Sequence, residues 1–326
     1  MHAQMSILRD IIYGSVPYGA DVDRVCAMLE INPHDLNDSE RLVPFKAAAE
    51  VWDVVLAETH HPLLGLHLGE KISPAILGMI GYLMQSSRTL YEAIIQLAKF
   101  NDLHSTMMKY IIVEAHGQVE IQYHPATMWL HQYPESVRQS MELAMSGLVT
   151  LFRTISSRSV FPAKVEVFHP SRHVEEYERI FRAPILFNAG QYALTFRKSD
   201  LAFPIASFDK SLFTRFGDIL EKKLQSLNAE EKFSDRIRQV ILTEFKGNSP
   251  SVDSVAAHMN MTARSIQRRL KDERTTYREI AGRFKKELAE IVLTDPKFSA
   301  SEVSTLLGYS DPSALRKALK RWSLNS

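Results

Sequence analysis

The chain has 326 residues, enough for about two domains at roughly 150 residues each, which excludes a single small module. Hydrophobic residues make up 45% and charged residues 24%, a balance that supplies a core and excludes global disorder. The net charge of +1 hides an asymmetry: residues 247–326 hold 14 basic and 9 acidic side chains, a net +5, which leaves 25 basic and 29 acidic, a net −4, in residues 1–246. A basic C-terminal segment on a mildly acidic body is the charge profile of a nucleic-acid-reading module joined to a domain that does not bind nucleic acid. The lone Cys26 cannot form an intramolecular disulfide, no apolar run approaches bilayer length, and the opening MHAQMSILRDIIYG lacks the pattern of a secretory leader. A cytoplasmic, nucleoid-associated protein with no membrane partner is expected.

In chain order, VDRVCAMLEI, PFKAAAEVWDVVLAETHH and TLYEAIIQLAKFNDL repeat apolar residues at three-to-four spacing and read as helices. In the second, Ala48, Val51, Trp52 and Val55 share a face, and Pro44 falls where a first-turn proline is tolerated. Near residue 106 the period changes. KYIIVEA and QVEIQYH, separated by His116-Gly117, read as a hairpin in which Val119, Ile121 and Tyr123 alternate with polar neighbours. A long helix is expected from Pro134 to Ser156, followed by a strand AKVEVFHP, a helix VEEYERIF and, after Asn188-Ala189-Gly190, a strand QYALTFR. Residues 1–208 are therefore expected to form an α+β domain. Residues 209–230, including DKSLFTRFGDILEKKLQSLN, read as an amphipathic linker helix, and 231–326 as an all-α domain.

The all-α segment holds two similar patterns, at about 251–274 and 299–322, each a helix, a tight turn and a second helix. In the first, Ser251 caps VDSVAAHM, with Val252, Val255, Ala256 and Met259 on one side; Asn260-Met261-Thr262 turns, and Thr262 caps ARSIQRRLKDE. Ile266 and Leu270 face inward, leaving Arg264, Gln267, Arg268 and Lys271 on the other side. That face has the chemistry of major-groove readout, since arginine pairs bidentately with guanine and glutamine with adenine. In the second, Ser299 and Glu302 have capping-box spacing before EVSTLLGY, Gly308 suits a helix C-terminus, and Asp311-Pro312 starts PSALRKALKRW. Leu315, Leu319 and Trp322 form its apolar seam, leaving Ser313, Arg316, Lys317, Lys320 and Arg321 outward. Between the units runs TYREIAGRFKKELAEIVL, with Tyr277, Ile280, Ala281, Phe284, Leu288, Ile291 and Val292 in one stripe. A rod of this length, about 27 Å, approaches the roughly 34 Å between successive major-groove faces.

EVSTLLGYSDPSALRKALKRW resembles the C-terminal signature of the AraC/XylS family of bacterial transcription regulators, and VAAHMNMTARSIQRRLKDE resembles the family's other helix-turn-helix. RLVPFKAAAEVW, HPLLGLHLGEKI, GMIGYLMQSS and LYEAIIQLAKFND resemble the arabinose-binding-type N-terminal domain of the ornithine-utilisation-regulator branch. The resemblance covers essentially the whole chain. It implies an α+β N-terminal sensor and dimerisation domain followed by an all-α C-terminal domain with two helix-turn-helix units. It places Arg264, Gln267 and Arg268 at base-contacting positions of the first recognition helix and Ser313 and Lys317 at those of the second, with Arg316 and Lys320 better set for phosphates. Double-stranded promoter DNA, RNA polymerase, a small-molecule effector and a second copy of the chain are the implied partners, with activation as the expected mode. The alternative is a constitutive regulator controlled by a protein partner or by its own abundance. Arg274 stands where the family has glycine, and Leu315 and Leu319 replace aromatics. The sequence ends at RWSLNS, ahead of the segment that normally covers the second unit, so Leu319 and Trp322 are expected to be partly exposed and the first unit to dominate reading.

Other chemistry finds little support. No G-x-S-x-G elbow, phosphate loop, H-E-x-x-H or catalytic carboxylate pair occurs in convincing context, so no enzyme and no cofactor are expected. His60, His61 and His67 match no familiar zinc spacing and have no cysteine pair beside them; His60-His61-Pro62 reads as a helix terminus, and no metal is expected. Cys26 reads as core. Met79, Met84, Met107, Met108, Met128, Met141 and Met145 could line an adaptable pocket but suit plain core filling, and no effector-binding residue is nominated.

Overall fold

The computed structural model describes residues 1–230, 232–244, 250–292 and 312–321. The N-terminal part runs β1 (His2–Gln4), α1 (Met5–Ser15), α2 (Val22–Met28), β2 (Leu42–Pro44), α3 (Phe45–Thr59), α4 (Leu64–Gly69), α5 (Met79–Gln85) and α6 (Leu90–His104). It continues with β3 (Met108–Ala115), β4 (Gln118–Pro125), α7 (Thr127–Gln132), α8 (Pro134–Ser156), β5 (Lys164–Glu166), α9 (Val174–Phe181), β6 (Ile185–Leu186), β7 (Tyr192–Arg197), α10 (Lys198–Leu201) and α11 (Lys210–Glu230). The remainder is helical: α12 (Phe233–Glu244), α13 (Val252–His258), α14 (Ala263–Asp272), α15 (Tyr277–Val292) and a further helix, Pro312–Arg321. By internal packing the chain divides into two compact units, Met1–Pro125 with Tyr133–Ser226, and Ala126–Gln132 with Leu227–Ser326.

The N-terminal unit is the expected mixture of helices and strands. Its sheet has the order β3-β4-β7-β5-β6, antiparallel except for the β5–β6 pair. His116 and Gly117 both take positive φ, 51° and 74°, as a two-residue hairpin turn that matches strand twist requires. One face of the sheet buries Val119, Ile121, Tyr123, Leu194 and Phe196, and Phe196 meets Phe152 of α8 edge-on with ring centroids 5.5 Å apart. Fifteen of the 23 residues of α8 are buried, so this helix is the centre of the unit and not an amphipathic cover for it.

Against α8 lies α4, brought close by glycine. A Cβ on Gly65 would sit 2.1 Å from the backbone oxygen of Gln139, and one on Gly69 would sit 2.7 Å from the backbone nitrogen of Gly147. Polar side chains of α8 bind the backbone of this short segment: Gln139 accepts from the Gly65 N–H at 2.7 Å and donates to the Pro62 carbonyl at 2.9 Å, while Ser146 donates to the Leu66 carbonyl at 2.9 Å. Six residues of helix leave most of their terminal backbone groups without intrahelical partners, and these side chains supply them.

Some elements differ from expectation by small steps with clear causes. Pro44 ends β2 and holds the N-cap position of α3, one residue before the first turn. β1 and β2 pair antiparallel over three residues each, too short to show alternation in sequence. Cys26 is buried with the core as expected, as are Met84, Met107, Met141 and Met145; burial, and then the Asp23 carboxylate, push the Cys26 thiol pKa up.

The C-terminal unit is built on one apolar cluster containing Ile237 and Ile241 of α12, Val255 and Ala256 of α13, Ile266 and Leu270 of α14, Ile280 and Ala289 of α15, and Leu315 and Leu319. The expectation that Leu319 would be partly exposed is thereby corrected: it is 3% exposed, because it packs into the cluster formed with α12, α13, α14 and α15. The features read at Ser299, Glu302, Gly308, Asp311 and Trp322 lie outside the described residues.

Candidate nucleic-acid interface

α13 and α14, joined by a tight turn, form from the caps read in the sequence. The Ser251 side chain accepts from the Ser254 N–H, α13 follows, Asn260 takes φ 51°, and the Thr262 side chain accepts from the Ser265 N–H to start α14. Each cap satisfies a backbone donor that the first helical turn leaves without a partner. Ile266 and Leu270 are fully buried, which fixes the rotation of α14. Arg264, Gln267, Arg268 and Lys271 consequently lie on the exposed side, at i, i+3, i+4 and i+7.

The Pro312–Arg321 helix repeats that arrangement. Leu315, Ala318 and Leu319 are buried, and Ser313, Arg316, Lys317 and Lys320 are exposed at the same i, i+3, i+4 and i+7 positions. Each face carries three cations and one neutral hydrogen-bonding side chain, glutamine on the first and serine on the second. All eight candidate residues are thus free to meet a ligand, and each helix gathers its own four onto one face.

Four further features hold α14 and its neighbours in place. Glu273 accepts from the backbone N–H groups of Phe233 and Ser234, capping α12 from the far end of α14. Burial pushes the Glu273 carboxyl up, but the Ser234 hydroxyl, these two N–H groups and the Lys232 charge together hold its pKa below the usual value. Arg269, next to the exposed face, lies over the Phe233 ring at 5.2 Å and is engaged in packing. Arg274, where the resembled family has glycine, takes φ 56°, so the chain adopts a glycine-type conformation there with a side chain present. Two residues later Thr276 and Glu279 form a reciprocal capping box: the Glu279 N–H donates to Thr276 Oγ1 at 3.2 Å, and the Thr276 N–H to Glu279 Oε2 at 2.9 Å. α15 has 16 residues, about 24 Å of rise. Only Thr-x-x-Glu among these features has a local signature that sequence could have disclosed.

Among the described residues, one group of three ligating side chains, His67 with Glu70 and Glu176, lies close enough to hold a metal, all in the N-terminal unit. No helix among them is long and apolar enough to cross a membrane.

Comparison with known proteins gives the family. Residues 19–205 match the family described as the arabinose-binding domain of AraC transcription regulator, N-terminal. The chain belongs to this family of transcription regulators. It is 23% identical to the ornithine utilization regulator of Pseudomonas aeruginosa over 311 residues, covering 94% of this chain and 89% of that one. It is 22% identical to the HTH-type transcriptional regulator VirS of Mycobacterium tuberculosis over 316 residues, covering 93% and 88%. The crystal structure of transcriptional regulator CdpR from Pseudomonas aeruginosa is similar at 23% identity and a TM-score of 0.45, covering 92% of this chain and 93% of that one.

Proposed function

We propose that the chain is a sequence-specific regulator that reads double-stranded promoter DNA through the exposed faces of α14 and the Pro312–Arg321 helix. The observation that carries this reading is the repeated i, i+3, i+4, i+7 set, Arg264-Gln267-Arg268-Lys271 and Ser313-Arg316-Lys317-Lys320, each set on the outer side of one shared apolar core. Arg264, Gln267, Arg268, Ser313 and Lys317 contact bases, while Lys271, Arg316 and Lys320 contact phosphates. The N-terminal unit binds a small-molecule effector and pairs with a second copy. Effector binding shifts the balance between arrangements of the dimer and so alters DNA affinity or recruitment of RNA polymerase, with activation as the outcome.

An input is supported by the size of the N-terminal unit and by its buried polar cluster. Glu142 is 1% exposed, receives hydrogen bonds from Arg138 and Tyr177, and has an Oε2 with no hydrogen-bond partner. His169 lies 3.2 Å from Glu142 Oε1, at an angle that makes no hydrogen bond.

The test is a genome-wide map of DNA occupancy in the native host, comparing the wild type with Arg268→Ala. Discrete promoter peaks that vanish in the variant are expected; peaks unchanged by the substitution would overturn the assignment of α14. Affinity in vitro should fall with salt, each neutralised phosphate adding about −0.9 to the log–log slope. Equal DNA affinity, oligomeric state and transcription with and without every tested small molecule would favour the constitutive alternative.

A further inference from the structure

Three separated segments of the N-terminal unit bring two imidazoles and a carboxylate into one line. His61 follows α3, His67 lies on α4 and Glu176 on α9. His67 Nε2 is 2.6 Å from Glu176 Oε1, and His67 Nδ1 is 3.3 Å from His61 Nε2. Arg179 in turn holds Glu176 at 2.7 to 3.1 Å and grips Glu70 with two further bonds of 2.5 and 3.0 Å.

The tautomers follow from this geometry. An ionised carboxylate only accepts, so Glu176 takes the Nε2–H of His67, and the neutral ring then carries its lone pair on Nδ1. That lone pair faces His61 Nε2 across 3.3 Å, a long separation for an N–H···N bond. Two nitrogen ligands about 2.0–2.1 Å from a tetrahedral ion lie about 3.3 Å apart, so the gap has the width of two adjacent ligand positions. A metal-ligating histidine characteristically gives its other N–H to a carboxylate, which is the role Glu176 fills.

We propose that His61 Nε2 and His67 Nδ1 bind a divalent transition-metal ion of the zinc class, with Glu176 orienting His67. His61 and His67 are half-buried, so water completes the coordination. The other grouping, His67 with Glu70 and Glu176, has ligand atoms within 4.8 Å of one another. Its carboxylates, however, already have Arg179 as countercharge, and an ion there would have to displace the guanidinium. The bound ion joins the end of α3 to α4 and, through Glu176, to α9. Sequence spacing argues against a metal because Glu176 lies 109 residues from His67 and the pair His61–His67 alone matches no motif.

The full-length protein, freed of metal, is titrated with Zn²⁺ by calorimetry. The wild type should take up one equivalent more than His61→Ala/His67→Ala, Glu176→Gln should bind that equivalent about 10- to 100-fold more weakly, and His60→Asn should match the wild type. Equal uptake by the wild type and the double variant would overturn the site. Should the double variant fail to fold, as circular dichroism would show, crystals of the wild type soaked in Zn²⁺ decide the matter by anomalous scattering. A peak between His61 Nε2 and His67 Nδ1 is expected; a peak on the Glu70 and Glu176 carboxylates, or none at the cluster, would overturn the assignment.

Discussion

Along α8 of the N-terminal unit, Gln139, Glu142 and Ser146 are buried beside Leu148 and Phe152, and each pairs at least one polar atom with backbone or side chain of another segment. In the C-terminal unit α14 buries Ile266 and Leu270 and turns every charge outward. Among the described residues, each buried polar or charged side chain falls between Ser6 and Thr195. A core of purely apolar contacts needs only volume and periodicity, and it leaves the outward cations of α14 at Arg264, Arg268 and Lys271 exposed to solvent. A core with buried carboxylates, amides and imidazoles depends instead on particular partners, since a buried polar group that loses its partner costs about 1–3 kcal/mol. The contrast fits the proposed division of labour, in which the N-terminal unit takes the input and the C-terminal unit presents a charged surface.

The largest effect that would break this contrast is at Gly65. Gly65→Ala forces a Cβ against the Gln139 backbone, and neither backbone can yield without parting α4 from α8; a loss of about 3 kcal/mol is expected, the upper end of ordinary overpacking costs. Thermal or urea unfolding measures it. An effect below about 0.5 kcal/mol would mean that the close crossing does not hold the unit together.

Acid sharpens the same contrast. Full burial of His104 lowers its pKa from 6.5 to about 4, so the folded chain refuses a proton that the unfolded chain takes. Nothing is lost above pH 6.5; stability then falls as pH drops toward 4 and levels off below it, by about 3 kcal/mol in all. His104→Gln, which retains a donor for Gln4 Oε1, 3.2 Å from the native ring, should flatten that part of the stability profile. Identical profiles for the wild type and the variant between pH 6.5 and 4 would rule the mechanism out.

Legibility in the sequence divides along the same line. Periodicity and caps disclosed α13, α14 and both ends of α8, because those elements are determined by neighbours three or four residues away. They also disclosed which side of α14 and of the Pro312–Arg321 helix is outward, since Ile266, Leu270, Leu315 and Leu319 set the rotation. What escaped depends on partners distant in sequence: Gly65 against Gln139, Glu273 on the start of α12, Glu176 on His67. The burial of Leu319 escaped for the same reason. Local sequence shows an apolar seam near a chain end, and the shared cluster with Ile237 and Ile241 exists only once the chain has folded.

A smaller effect tests the charged surface. Arg268→Ala should weaken specific DNA binding by about 2 kcal/mol, roughly 30-fold, while leaving the unfolding midpoint within error, because the side chain is exposed. Lys317→Ala provides the comparison between α14 and the Pro312–Arg321 helix. Leu319 is buried, so its exposure is no reason for a weaker second helix. The remaining reason is chemical, since arginine reads guanine bidentately and lysine does not match that fork. Arg268→Ala should therefore cost more than Lys317→Ala, and the reverse order measured on one operator would refute it.

The smallest effect concerns the exception to the apolar C-terminal unit, the Glu273 carboxylate that caps α12. Its two backbone contacts satisfy donors that the first turn of a helix cannot satisfy itself. Glu273→Ala should cost about 1 kcal/mol, as losing an N-cap does. Because the folded pKa is lowered, the contribution is present above the ordinary carboxyl range and disappears as pH falls through the folded value. The stability difference between the wild type and Glu273→Ala should thus be full at pH 7 and vanish in strong acid. Glu273→Gln separates charge from geometry: an amide oxygen can accept the same bonds, so it should recover part of the loss and remove its pH dependence. If Glu273→Gln destabilises as much as alanine at pH 7, the negative charge at the start of α12 matters more than the hydrogen bonds, and this cap acts through the helix dipole.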